Sequence, residues 1–294
     1  MSAVGRQRLR WLDADELREC LPMGDAIAAM RRAFGDDREV PPRVALRASL
    51  VMAGRVGGHT GVKVVSTVPG NPAGLVAVFG PDGEPVGIVD GPTLTAIRTG
   101  AATGLATSLL ARPDARVLTM LGAGAMAADQ IAAVRAVRPM ARTLVWSRRR
   151  ERAEALASRV DAEVVDSADE AVAAADVVAT ATPATSPLFD PAAVRPGTHL
   201  NAIGAFRPDM AELPPALLRA AWVVVEDRRA AAAEAGDLLQ AGREPDAEMS
   251  DLLSGRAGPA PGATTVFKST GIATMDVAAA VAALERAARR QAQG

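Results

Sequence analysis

One junction, where an apolar run passes directly into a glycine-rich turn, constrains the fold of this chain most. Val117–Leu121 predicts a buried strand and Met126–Val137 a helix, and between them runs Gly122–Ala123–Gly124–Ala125–Met126–Ala127. The first glycine allows the tight turn, the second lets a ligand approach the backbone, and Ala127 lets the helix pack against the strand. Such a turn binds the diphosphate of a dinucleotide at the helix N-terminus. The alternative is a glycine-rich turn without a ligand.

Strand and helix patterns alternate after this junction. Further apolar strands are predicted at Thr143–Trp146, Glu163–Val165, Asp176–Ala181, His199–Ile203, Trp222–Val225 and Thr264–Phe267. Alternation with nearly continuous apolar strands is typical of a doubly wound parallel sheet with helices on both faces. The sequence therefore predicts an α/β protein with a Rossmann-type NAD(P)-binding domain over residues 113–269.

The chain before this domain has a different pattern, typical of an α+β domain. A helix is predicted over residues 13–35 and another over Leu94–Leu110, with short strands at Val44–Leu50, Gly61–Ser66, Leu75–Phe79 and Pro85–Val89. Pro81–Asp82–Gly83–Glu84 predicts a hairpin turn between the last two strands. We expect the amphipathic helix Met275–Gln291 to pack back on this part. Residues 1–112 and 270–294 would then form a substrate-binding and dimerisation domain.

The end of the second strand indicates which dinucleotide binds. An Asp or Glu there would bind the ribose 2′-hydroxyl of NAD, but the chain continues Ser147–Arg148–Arg149–Arg150, with no carboxylate before Glu151. A hydroxyl and guanidinium groups suit a 2′-phosphate. The sequence favours NADPH, with NADH possible; the alternative is that these arginines are only the solvated start of a helix.

Three basic residues of the first domain lie in settings unlike a charged surface. Arg43 follows two prolines, Lys63 lies within the apolar run Gly61–Val65, and Arg98 is surrounded by small residues. A cation in an apolar stretch needs an anionic partner. A substrate carboxylate is one candidate, and pairing with the protein's own Asp or Glu is the other.

Composition excludes several classes of function. The chain has no tyrosine, so a tyrosine-lysine dehydrogenase mechanism is excluded, and its one cysteine rules out an internal disulfide. The net charge of −1 argues against a nucleic-acid partner, and no apolar run approaches a membrane span. Two distant histidines predict no metal site, and we expect His199 merely to pack at a strand. The sequence predicts a cytoplasmic protein.

Several motifs, in order along the chain, resemble one family. They are Pro42–Arg43, Gly61–Val62–Lys63, Pro69–Gly70–Asn71, Asp90–Gly91, Leu94–Thr95–x–x–Arg98–Thr99, Leu121–Gly122–Ala123–Gly124, Thr180–Ala181–Thr182–Pro183, Pro196–Gly197–Thr198–His199–x–Asn201–Ala202–Ile203–Gly204 and Val266–Phe267–Lys268–Ser269–x–Gly271. Over nearly the whole chain they are similar to the ornithine cyclodeaminase/mu-crystallin family.

The resemblance implies a homodimer whose first domain binds substrate and whose second binds NAD(P). It implies that Arg43, Lys63 and Arg98 hold a substrate carboxylate and the adjoining imine or amine, Lys63 and Arg98 being catalytic, with Asn71 also binding substrate. It further implies a cofactor site at the glycine-rich turn that includes Ser147, Arg148, Thr180, Ala181, Thr182, Phe267 and Ser269.

One departure from the family pattern bears on the reaction. Cyclodeaminases carry an acidic residue shortly after the glycine that corresponds to Gly204, and here Phe206 stands at that position. Amino-acid oxidation needs a base, whereas a protonated imine accepts hydride directly. The stretch Arg-Pro-Asp-x-x-Glu-Leu that follows Phe206 resembles instead the mu-crystallin and bacterial ketimine-reductase members of the family. This resemblance implies NADPH-dependent reduction of Δ1-pyrroline-2-carboxylate or Δ1-piperideine-2-carboxylate to proline or pipecolate.

Other readings stay open. The first is a related enzyme, either a cyclodeaminase, an alanine-type dehydrogenase or a diamino-acid synthase, and the second is a low-turnover dinucleotide-dependent binding protein of crystallin type. Asp209 would supply a carboxylate if its loop were displaced, and the segment after Asn71 is shorter than in the family, which changes the substrate pocket. We expect Asp276 to complement the N-terminus of the last helix.

Overall fold

The computed structural model describes residues 9–68 and 70–293. Pro69, part of a motif quoted above, and residues 1–8 and 294 of the predicted first domain lie outside the described residues. The chain divides into two compact units, the first formed by the segments up to Arg98 and from Ala273 onward, and the second by Thr99–Ile272. The sequence instead predicts boundaries at 112/113 and 269/270. The first predicted boundary lies after the end of a long helix, Gly91–Leu110, whereas the observed boundary lies within that helix.

The elements follow one another along the chain as β1 (Arg10–Leu12), α1 (Ala14–Cys20), α2 (Met23–Ala33), β2 (Arg38–Glu39), β3 (Val44–Ala45), β4 (Ser49–Val56), β5 (His59–Ser66), β6 (Gly74–Phe79), β7 (Pro85–Asp90), α3 (Gly91–Leu110), β8 (Val117–Leu121), α4 (Ala127–Val137), β9 (Arg142–Trp146), α5 (Arg150–Val160), β10 (Glu163–Val164), α6 (Ala168–Ala174), β11 (Val177–Thr180), β12 (His199–Ala202), α7 (Pro215–Ala220), β13 (Trp222–Val225), α8 (Arg228–Glu234), α9 (Gly236–Ala241), β14 (Ala247–Glu248), α10 (Met249–Ser254), β15 (Thr265–Lys268) and α11 (Ala273–Gln293).

Two segments that the sequence predicts as continuous are divided in the structure. The helix predicted over residues 13–35 is wrong because Pro22, which has no N–H to donate, separates α1 from α2. The single strand predicted over Val44–Leu50 is also wrong, because the chain reverses and β3 pairs antiparallel with β4. The predicted hairpin is confirmed: Gly83 has φ 79° and β6 pairs antiparallel with β7.

The first unit contains a sheet with the order β1-β7-β6-β5-β4-β2, on which β3 adds to β4. Helix α11 packs on one face of this sheet and on α2, as the sequence predicts for the last helix. Three strands place a glycine under α11: Gly54 lies opposite Gly61 in the register, and Gly87 lies two strands further on. A Cβ at Gly61 would stand 2.7 Å from Val277 Cγ2. The glycines therefore allow α11 to approach the sheet closely.

The second unit confirms the doubly wound prediction. Its eight strands pair in parallel in the order β10-β9-β8-β11-β12-β15-β13-β14. Two separate apolar clusters cover the sheet, one containing residues of α4 and α5 and the other residues of α6 and α7. The chain runs outward from β8 to β10 and then returns to β11 on the other side of β8, so the loops after β8 and β11 separate. Ligands bind at such a switch point.

Membrane-spanning helices and metal clusters are both absent from the described part of the chain. Within residues 9–68 and 70–293, no helix combines the length and the apolar character that crossing a membrane requires. The same residues contain no group of three or more His, Cys, Asp or Glu side chains placed to hold a metal ion.

The contact of α11 with the sheet predicts the effect of a larger residue at position 61. In Gly61→Val the new side chain would collide with Val277 and with the carbonyl of Ala77, 3.2 Å from the Cβ position. Overpacking of this kind lowers the free energy of unfolding by about 2 kcal/mol, measurable by urea denaturation. Gly24→Ala is the control, because nothing lies within 4 Å of its Cβ position. Equal stability of the two variants would contradict the prediction.

Candidate functional site

The glycine-rich turn has the geometry of a phosphate cradle. Gly122 has φ 109°, and a Cβ there would stand 2.8 Å from both Ala181 O and Thr182 Cγ2. A Cβ at Gly124 would have Ala181 O as its nearest neighbour, at 4.0 Å, so the space above this backbone is open. Helix α4 begins three residues later, and its first N–H groups carry partial positive charge. The backbone of the turn, the open space above Gly124 and the dipole of α4 together suit an anionic ligand.

A cavity of about 400 Å³ lies at this turn, a size typical of small-molecule sites. It is lined by Gly122, Ala123, Gly124, Trp146, Ser147, Arg148, Arg149, Arg152, Ala181, Thr182, Pro183 and Leu188. Seven of the residues predicted for the cofactor are in this set. Five are not: Ala125, Met126, Thr180, Phe267 and Ser269. Of these, Thr180, Phe267 and Ser269 are buried.

Arginines surround the start of α5 at one end of the cavity. Arg149 is the N-cap residue of α5, with no side-chain cap, and Arg148 precedes it. Arg150 is bound to Glu154 at 2.9 Å and to Asp166. Positive side chains at a helix N-terminus oppose the helix dipole, and an anion bound between them would remove that conflict.

Glu212, which the sequence analysis did not single out, holds Thr182, one of the residues that line the cavity. Its Oε1 accepts from the backbone N–H of Thr182 at 2.6 Å and from the Thr182 hydroxyl at 2.8 Å. Its Oε2 accepts from the Thr180 hydroxyl at 2.7 Å and from the Gly204 N–H at 2.6 Å. One buried carboxylate thus holds the loops that follow β11 and β12.

A second buried acid supports Glu212. Asp237 Oδ1 accepts from the backbone N–H groups of Glu212 and Leu213 at 2.7 and 2.9 Å, and Lys268 Nζ lies 3.1 Å from Asp237 Oδ2. Burial raises the pKa of Glu212, and the nearby charge of Lys268 opposes that rise. The signal that could have led to these acids is Lys268 itself, a cation in the wholly buried strand β15.

In the first unit, Lys63 and Arg98 share one carboxylate. Asp276 Oδ1, on the first turn of α11, accepts from Lys63 Nζ at 2.7 Å and from Arg98 Nε at 3.2 Å. All three side chains are buried. The sequence left a substrate carboxylate or an internal acid as the partner of these cations, and an internal acid is present. Because two cations face one acid, a positive charge remains.

Burial and the attraction between opposite charges shift the pKa values of Lys63 and Asp276 in opposite directions. Burial lowers the pKa of Lys63 to about 8, Asp276 opposes this, and the charges of Arg98 and Arg43 add to it. Burial alone would raise the pKa of Asp276, but Arg98 and Lys63 outweigh it and hold that pKa below its ordinary value. Asp276 is therefore ionised at neutral pH. Its Oδ2 is buried without a hydrogen-bond partner among the described residues.

The other predicted substrate residues lie in two loops of the first unit. Arg43 is half-buried ahead of β3 and acts on Lys63 through its charge. Asn71 is exposed in the turn between β5 and β6, where its N–H donates to Val68 O at 3.1 Å. The prediction for Asp276 missed its main contact, because spacing along α11 does not show which strand the helix covers.

The other residues of the second unit that the sequence analysis discussed have structural partners or face solvent. Phe206 is 49% exposed, and the nearby Asp209 is exposed and paired with Arg207 at 3.1 Å. His199 is fully buried between Thr265 and Asn201, as expected for a packed residue. Burial lowers the pKa of His199 to about 3, so it stays neutral.

Comparison with known proteins shows which proteins this chain is similar to. The chain is 40% identical to the ketimine reductase mu-crystallin of Mus musculus, over 73% of this chain and 69% of that protein. It is 36% identical to a Δ1-pyrroline-2-carboxylate reductase of Bacillus cereus, over 95% of this chain and 97% of that protein. The solved structure of Thermococcus litoralis Δ1-pyrroline-2-carboxylate reductase in complex with NADH and L-proline superposes with a TM-score of 0.88, at 28% identity, covering 96% of this chain and 98% of that one.

A family model matches residues 23–291, which include the second unit, most of the first, the glycine-rich turn and the Lys63, Arg98 and Asp276 cluster. The chain belongs to the ornithine cyclodeaminase/mu-crystallin family.

Proposed function

We propose that this protein is an NADPH-dependent reductase of cyclic ketimine carboxylates, converting Δ1-pyrroline-2-carboxylate to proline or Δ1-piperideine-2-carboxylate to pipecolate. The observation that carries the proposal is the buried pair of cations, Lys63 and Arg98, that shares a single acid. The positive charge left over suits one substrate carboxylate. Relatives at 40% and 36% identity are named as reductases of such imines. We place the reaction in the cytoplasm, where reduced dinucleotides are available.

The residues would divide the work between holding the cofactor and holding the substrate. The glycine-rich turn would bind the diphosphate, and the nicotinamide supplies a hydride when bound. Lys63 and Arg98, with Arg43, would bind the substrate carboxylate and so fix the orientation of the C=N bond beside it. A hydride supplied there would add to the imine carbon, and the nitrogen would keep the proton that it took from water. The product is a secondary amine.

The proposed reduction does not need a catalytic base, and the described residues around Phe206 offer no strong one. Oxidation of ornithine would need a group that removes protons from an ammonium ion. Asp209 is exposed and paired with Arg207, which holds its pKa below the ordinary value. A carboxylate so arranged is a weak base. Reduction of an imine is therefore favoured over cyclodeamination.

We also propose that two copies of the chain associate through the sheet face opposite α11. One row across this face contains Ala53, Val62, Ala77, Ile88 and Trp11, each opposite the next in the register. All five are apolar, four are partly exposed, and Trp11 is 47% exposed. A broad apolar face of this kind marks an interface, and two copies related by a twofold axis would cover both faces.

The reaction is tested by following NADPH absorbance with pyrroline, piperideine and open-chain 2-imino acids. The cyclic acids should be reduced, and Lys63→Met should lower kcat/KM at least about 100-fold, because loss of a buried ion-pair partner costs several kcal/mol. Arg98→Met should behave alike, and in both variants the dinucleotide affinity should be unchanged. Arg142→Met is the control, since Arg142 pairs with Glu163 at the surface of the second unit.

Two results would contradict this reading. Release of ammonia from ornithine without added reductant would favour a cyclodeaminase. Tight NADPH binding with no oxidation across the imine panel would favour a binding protein of low turnover.

Cofactor preference is tested separately at Arg148. In Arg148→Met the Kd for NADPH should rise about 10-fold or more, since a bond to a charged group contributes about 1.5–3 kcal/mol, while the Kd for NADH should change little. Fluorescence titration of both dinucleotides measures this. Arg150→Met is the matched control, because Arg150 is held by Glu154 and Asp166. Tighter binding of NADH than of NADPH by the unchanged protein would refute the preference.

The proposed dimer predicts a change of mass in Ala77→Glu. A charge at the centre of the apolar row should separate the copies, because it would be buried without a partner. Light scattering should then give the 30.2 kDa mass of one chain in place of twice that value. Leu239→Glu is the control, since Leu239 is also an exposed apolar residue, 42% exposed, but on α9. The same mass for both variants would argue against this interface.

A further inference from the structure

Lys63 lies among groups that mostly oppose its charge. It is on β5, facing Asp276 from α11, Arg98 and Thr95 from α3, and the charge of Arg43. Burial removes the water that would stabilise an ammonium group, and two guanidinium groups repel it. The Thr95 hydroxyl, which donates to Gly91 O at 2.7 Å, accepts from Lys63 without adding a formal charge. Asp276 is thus the one acid in this set.

We infer that Asp276 is the positioning residue that keeps Lys63 protonated in the free protein, so that the site stays cationic before a substrate carboxylate arrives. The identity of that carboxylate rests on the proposed function. The charge of Lys63 does not depend on it. The geometry assigns this role to Asp276 because its Oδ1 is bound to both cations, while the carboxylate is fully buried. A substrate would then bind the remaining positive charge rather than displace the acid.

The direction of the pH effect follows from the balance of charges. With Asp276 present, the pKa of Lys63 is about 8, so the ammonium form predominates at neutral pH. Removal of the acid leaves burial, Arg98 and Arg43, all of which favour the neutral amine. Lys63 should then lose its proton below neutral pH, and carboxylate binding should weaken there as well.

The composition of the chain allows a direct measurement. Among 33 basic residues the sequence has two lysines, Lys63 and Lys268. Protein labelled with 13C at lysine Cε should therefore show two lysine signals by NMR, which Lys63→Arg assigns. In the unchanged protein the Lys63 signal should titrate with a midpoint near 8. In Asp276→Asn, which keeps an oxygen acceptor but loses the charge, the midpoint should fall by about one pH unit or more.

A carboxylate probe connects this titration to binding. Pyrrole-2-carboxylate, a planar acid that hydride does not reduce, is titrated by calorimetry with NADPH present. Asp276→Asn should bind it at least about 3-fold more weakly than the unchanged protein at pH 7.5, because a midpoint lowered from about 8 by about one unit leaves roughly a quarter of Lys63 charged there. At pH 6 the two proteins should bind it similarly. In Lys63→Arg/Asp276→Asn the cation does not titrate in this range, so the difference between the two pH values should disappear.

Several results would overturn the inference. One is a Lys63 midpoint below 7 in the unchanged protein, which would leave the amine neutral although Asp276 is present and needs no variant. Another is an equal midpoint in Asp276→Asn, or binding weakened by the same factor at every pH, as a purely structural role would give. If Asp276→Asn does not fold, Asp276→Ser is measured instead, with an unchanged Lys268 signal as the check of folding. The expected titration without binding of any cyclic imino acid would refute the proposed function and leave the inference intact.

Discussion

The carboxylate of Asp276 joins three parts of the first unit that lie far apart in the chain. It binds Lys63 on β5 and Arg98 on α3 from the first turn of α11. Two buried cations without an acid would cost several kcal/mol each, so this group stabilises the packing of the sheet, α3 and α11. The same contact prepares the candidate substrate site. Packing and chemistry in this unit therefore depend on one interaction.

The second unit uses buried acids in a related way, to hold loops at the carboxyl ends of parallel strands. Glu212 binds the loops after β11 and β12, and Glu226, at the end of β13, accepts from Ser269 and from the N–H groups of Thr270 and Gly271 after β15. Loops at this edge carry the ligand contacts in doubly wound folds. Fixed carboxylates give such loops one conformation, because each accepts from several donors at once.

Local patterns in the sequence were enough to predict the parallel sheet, the glycine-rich turn and the arginines after β9, because each depends on neighbours within a few residues. Pro22 and the reversal between β3 and β4 divided elements whose apolar spacing looked continuous. The contact of Asp276 with the two cations and the role of Glu212 were missed for a different reason. Their partners are far away in sequence, so no spacing rule finds them. The rarity of lysine in this chain was a usable signal for these acids. Both lysines lie in apolar strands, and each requires an acid.

The first unit is discontinuous, since α11 returns to a sheet whose strands precede Thr99–Ile272. During synthesis the sheet leaves the ribosome with the row of Gly54, Gly61 and Gly87 uncovered, and it must wait for the whole second unit to be made. At 5–20 residues per second this takes roughly 10–35 s, long enough for the contiguous second unit to fold first. The exposed strands would then be open to chaperones or to other nascent chains until α11 arrives.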